Sequence, residues 1–150
     1  MKKFYLFILL SVLLVSFNSC KSDITGSIAD SNMPEAEGWY DNNSCGVIGN
    51  GYPEQRVQSV ILKRVAAREN ALINAKELML EFLVNTYLEH NSSGYDYDSV
   101  KSAFSKNYSG LIKNGIVTHE KYSGDDSCRI IFAVSRNNLK KEIMSGTVLK

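Results

Sequence analysis

Residues 53–81, PEQRVQSVILKRVAARENALINAKELMLE, carry the pattern that decides the fold. Val57, Val60, Ile61, Val65, Leu72, Leu78 and Met79 recur at helical spacing and project to one broad side. Ala67, Ala71 and Ala75 lie on that side one turn apart, and residues this small let a helix settle close to a sheet. Pro53 and Glu54 suit a first turn, because proline fixes a helical φ and a carboxylate favours the positive end of the helix dipole. These features predict one dominant helix from about Pro53 to Glu81. Arg64 and Arg68 sit toward its apolar side, one turn apart. Either they lay their alkyl stems along the sheet edge and keep their heads in water, or they present a paired contact for an anion or carboxylate of a partner. Leu62, Ala66, Ile73 and Leu80 form a second strip on another side, which either packs under a closing helix or serves as an oligomer face.

Outward from this helix the period changes. Trp39-Tyr40 opens the ordered region, and Cys45-Gly46-Val47-Ile48-Gly49, apolar and bounded by glycine, predicts the first strand. Phe82 to His90 is rich in aromatic and β-branched residues and predicts a strand after the helix. Asp96 or Asp98 then caps a second helix with Val100, Ala103, Phe104 and Tyr108 on one face. Ile116–Tyr122 and Cys128–Val134 are strands joined through Ser123-Gly124-Asp125-Asp126 as a hairpin, and Asn137 to Met144 closes the chain as a helix. The predicted class is α+β, a two-layer sandwich of one long and one shorter helix on a small, mostly antiparallel sheet, in the order β-α-β-α-β-β with a C-terminal helix.

The N-terminus gives an address. Lys2 and Lys3 precede an almost wholly apolar run from Phe4 to Val15, and Ser16-Phe17-Asn18-Ser19-Cys20 follows. This resembles a lipobox, where bacterial lipoproteins are cleaved and acylated on the cysteine, although Phe17 and Asn18 depart from its usual Leu and small residue. As a helix, Phe4 to Phe17 reaches only about 21 Å against roughly 30 Å of bilayer hydrocarbon, which disfavours an uncleaved span. Residues 1–19 are therefore expected to be a signal peptide, 20–37 a tether rich in Ser, Asp and Gly, and 38–150 a single domain. No Asp follows Cys20 directly, which favours the outer membrane over the inner as the destination.

Little in the chain points to catalysis. Seventeen basic side chains face 16 acidic ones, so no field draws the domain to nucleic acid. Gly49-Asn50-Gly51 before a helix invites a phosphate-loop interpretation, but the third glycine and a following Lys-Ser or Lys-Thr are missing, and Glu54 places negative charge where phosphate would sit. His90 and His119 lack partners at metal-ligand spacing, and no Gly-x-Ser-x-Gly turn occurs. Asp125 and Asp126 suit a solvated turn better than a carboxylate pair. No cofactor is implied. With Cys20 taken by lipid, Cys45 and Cys128 are either a disulfide in an oxidising compartment or two buried thiols.

Trp39-Tyr40, the run Val47-Ile48-Gly49-Asn50-Gly51, the helix with Ala67, Ala71, Ala75 and Glu77-Leu78, and the closing Ile131-Phe132-Ala133-Val134 together resemble the twenty-kilodalton lipoprotein family, which is related to the N-terminal domain of the flagellar assembly protein FlgT. The likeness covers about Gly38 to Met144. It implies a long helix packed on a mostly antiparallel sheet and a structural role at the outer membrane or in the periplasm, with no catalytic residues to carry over. The expected function is that of a lipid-anchored envelope protein, not an enzyme, binding another envelope protein or itself, with Leu62, Ile73, Arg64, Arg68, Trp39 and Tyr40 as candidate contacts. The alternative is a periplasmic small-ligand or glycan-binding domain using Trp39, Tyr40 and Tyr95 to Tyr97 as an aromatic platform.

Overall fold

The computed structural model describes residues 37–91 and 94–146, all within the unit Met33–Lys150. The expected signal peptide, Cys20 and nearly all of the expected tether lie outside them. The elements run β1 (Gly38–Trp39), β2 (Ser44–Gly51), α1 (Val60–His90), α2 (Tyr97–Lys113), β3 (Ile116–Tyr122), β4 (Cys128–Ser135) and α3 (Leu139–Met144). The strands form one antiparallel sheet in the order β1-β2-β4-β3. The predicted α+β class, the opening strand, the second helix, the hairpin and the closing helix all stand.

Strand alternation sends Cys45, Val47, Ile130, Phe132 and Val134 to the face that carries the core, where they meet the Ala67-Ala71-Ala75-Met79-Leu83 stripe of α1. The three alanines have no exposed surface. Their counterparts on β2 are glycines. A Cβ on Gly49 would lie 2.6 Å from the Ala75 Cβ, and one on Gly51 would meet the Ala67 carbonyl oxygen and the Ala71 nitrogen. The Gly-Asn-Gly run thus serves the close approach of helix to sheet.

The helix boundaries differ from expectation at both ends. Pro53 and Glu54 are not its first turn: Val57 N–H donates to the Glu54 carbonyl in a separate turn, and the first helical bond runs from Lys63 N–H to Ser59 at 2.9 Å. The chain spends these residues reversing direction, since α1 runs antiparallel to the strand it covers. At the other end, Phe82 to His90 is helix, not strand. Leu83, Val84 and Tyr87 are fully buried at helical spacing, and Thr86 Oγ1 donates to the Phe82 carbonyl at 2.9 Å, so its hydroxyl is satisfied within the helix. Contacts supplied by α2 outweigh the β-propensity of these side chains. The predicted order β-α-β-α-β-β accordingly becomes β-β-α-α-β-β-α.

The second helix begins where Asp96 Oδ2 accepts from Ser99 N–H at 3.1 Å. Its Phe104 packs edge-on against Tyr87 at 5.4 Å and stacks on Tyr108 at 5.0 Å between ring centroids. Both edges of the sheet carry features that limit strand addition. Asn50 N–H on β2 donates to Asn74 Oδ1 and Asn70 Nδ2 donates to the Tyr52 carbonyl, both at 3.0 Å, so side chains of α1 occupy backbone groups beyond the short β1. The β3 edge has a register shift between Val117 and His119 and carries Glu120 and Lys121, features that discourage pairing with another strand.

Cys45 and Cys128 do not form the candidate disulfide. Cys45 pairs with Val134 and Cys128 with Gly51, at opposite ends of the β2–β4 ladder. Six residues of strand separate these levels by about 20 Å, roughly three times the reach of a disulfide. Both thiols are free and buried, and Cys45 Sγ lies 3.8 Å from Met79 Sδ. Burial pushes the Cys45 thiol up to about 12, which leaves it protonated and inert.

Candidate interaction surface

The sheet ends before the helix does. Gly51, the last residue of β2, lies under Ala67 and Ala71, so the turns of α1 before Ala67 overhang the sheet. Val60, Ile61 and Val65, expected to face the sheet, are exposed for this reason, with Ile61 at 75 %. On the outer side of the same helix, Leu62 is 58 % and Ile73 59 % exposed. The second strip is therefore not covered by the closing helix; α3 buries its own Leu139 and Ile143 elsewhere in the core. Further along α1, beside α2, Leu80 and Ile112 line a groove of about 290 Å³ with Ser105 and Ser109.

Arg64 and Arg68 are engaged within the chain. Arg64 Nε binds Asp126 Oδ1 at 2.9 Å with its guanidinium carbon 5.4 Å from the Tyr122 ring centre, and Arg68 Nε binds Glu120 Oε2 at 2.7 Å. Tyr122 donates to the other Glu120 oxygen at 2.6 Å. Within the chain, the carboxylates that this arginine pair meets belong to the β3–β4 hairpin, which the pair clamps to the overhang. Burial raises the Glu120 carboxyl, but the Tyr122 hydroxyl and the Arg68 guanidinium outweigh it, and its pKa falls below the ordinary value of 4.5. A carboxyl depressed in the folded state stabilises above its unfolded pKa, and that contribution is lost as pH falls through the lower folded value. Glu120→Gln is therefore expected to flatten the decline of unfolding free energy below about pH 4.5, as read by urea titrations across pH. An unchanged acid limb would remove Glu120 from the clamp's electrostatics.

The two aromatic groups do not form one platform. Trp39 is half-buried, 5.6 Å from Phe82 between ring centroids and 5.9 Å from Lys140 Nζ, whereas Tyr95 lies 5.9 Å from Tyr87. Phe82 and Tyr87 point roughly 140° apart around α1, so Trp39 and the Tyr95 segment sit on different sides of it. Tyr40 is exposed next to a turn held by Asp41, which accepts from Asn43 and Ser44. His90 bonds the Thr86 carbonyl in its own helix. Among the described residues, no group of three His, Cys, Asp or Glu side chains is placed to hold a metal ion, and no helix is long and apolar enough to cross a membrane.

No family model, curated protein or solved structure matches this chain. The resemblance to the twenty-kilodalton lipoprotein family thus rests on the residues quoted for it. Sequence reasoning found the exposed strip through Leu62 and Ile73 but missed Glu120, Tyr122 and Asp126. These meet Arg64 and Arg68 across 52 to 62 residues of chain, and no local pattern connects them.

Proposed function

We infer that the chain is a lipid-anchored cell-envelope protein, placed at the outer membrane, whose α+β domain works by binding a protein surface and not by catalysis. The observation that carries the interaction role is the exposed apolar surface of α1: Ile61, Leu62 and Val65 on its overhanging turns, and Ile73 further along its outer side, stand in solvent. Single exposed apolar residues are ordinary, but several large ones on one helix suit a contact surface. The sequence around Cys20 supports the envelope location. Acyl chains contribute about 0.8 kcal/mol per buried CH₂, so two or more hold a protein at a bilayer durably.

Mass spectrometry of the membrane fraction tests the location. An acylated N-terminal peptide beginning at Cys20 is expected, with Cys20→Ser moving most of the protein to the soluble fraction. An unmodified mature N-terminus elsewhere would overturn the anchor.

A further inference from the structure

We propose that the outer face of α1 pairs with the same face of a second copy, the two helices running antiparallel about a two-fold axis at the level of Ala71. This rests on the interaction role inferred above and names the partner. Leu62, Ala66, Glu69, Ile73, Lys76 and Leu80 recur at steps of four and three residues, the 3.5-residue period of two-helix packing. This seam is distinct from the Ala67-Ala71-Ala75-Met79 stripe that holds the sheet, and of its members only Leu80 also packs against the core. Leu62, Glu69 and Ile73 are exposed, and Ala66, Lys76 and Leu80 are half-buried.

The charges within the seam select the direction. In a parallel pair Glu69 would face Glu69 and Lys76 would face Lys76. In the antiparallel pair Leu62 meets Leu80, Ala66 meets Lys76 and Glu69 meets Ile73, each twice. The Lys76 stem then lies across the small Ala66, and its ammonium comes within one turn of the other copy's Glu69. The groove beside Leu80, which Ile112, Ser105 and Ser109 line together with Lys76, Glu77 and Lys113, receives the other copy's Leu62. Projecting residue and recess lie on the same helix about 18 residues apart, the self-complementarity of an isologous dimer. Anchoring both copies to one membrane would raise their effective concentration further.

Sedimentation equilibrium of the full chain in mild detergent tests this. Wild type is expected to sediment as a dimer, with Glu69→Lys and Lys76→Glu each weakening the dimer about tenfold or more. The combination E69K/K76E, which recreates opposite charges across the axis, is expected to return the Kd to within about threefold of wild type. Both side chains reach solvent, and far-UV circular dichroism with thermal melts checks that all forms stay folded. A monomeric wild type, single variants without effect, or a double variant as weak as the singles would each overturn the dimer. If every form is monomeric while Cys20 is acylated, the dimer fails and the envelope role stands; an unmodified N-terminus removes the envelope role whatever the dimer does.

Discussion

Gly51→Ala is expected to lower the unfolding free energy by about 3 kcal/mol or more, at the upper end of what overpacking costs. The added methyl meets the Ala67 carbonyl oxygen and the Ala71 nitrogen. Both are backbone atoms, so no side chain can turn aside and no truncation on α1 relieves the contact. The helix must lift from β2, which loosens Cys45, Val47 and Met79 together. A fall in thermal midpoint of about 10 °C or more follows for a domain of this size. Gly124→Ala, in the hairpin turn with no atom within 4 Å of the new methyl, is the control and is expected to stay within about 0.5 kcal/mol of wild type. Equal effects at the two glycines would mean that close helix-to-sheet packing is not what Gly51 provides.

Phe104→Ala is expected to cost about 3–5 kcal/mol, and Phe104→Leu less than about 1.5 kcal/mol. Phe104 is fully buried between Tyr87 and Tyr108 and joins the C-terminal half of α1 to α2. Its removal leaves a cavity that two large rings cannot readily fill. The same contact decides the conformation of Phe82 to His90, so the alanine variant is also expected to lose helical circular dichroism before it loses the sheet signal. A cost below about 1 kcal/mol would show that α2 does not hold this segment in place.

Much of the architecture was legible because it is written in local periods. Cys128 to Val134 is a short, β-rich apolar run, Ala67 to Met79 returns every fourth residue, and Asp96 precedes a helix with a side chain that caps it. The failures share one cause, which is that the deciding partner lies far along the chain. Phe82 to His90 has the composition of a strand and becomes helix through Val100 and Phe104. Val60 to Val65 has the spacing of a buried face and is exposed because β2 stops at Gly51. The distance between Cys45 and Cys128 depends on the register of β2 on β4, which no count of cysteines reveals. The acidic partners of Arg64 and Arg68 are equally hidden in the sequence, because only the folded hairpin brings them to the overhang.

Asn70 and Asn74 finish the sheet from above. By occupying Asn50 N–H on β2 and Tyr52 O just beyond its end, they take two groups that a further strand would otherwise pair with. A β protein that gathers neighbours by its rim does so through main-chain groups that every sequence possesses, and such growth is hard to stop. Here that route is narrowed on the β2 side by two amides and discouraged on the β3 side by charge and irregular register. The dimer proposed on α1 uses side chains of a helix instead, where a single exchanged charge would permit or forbid it.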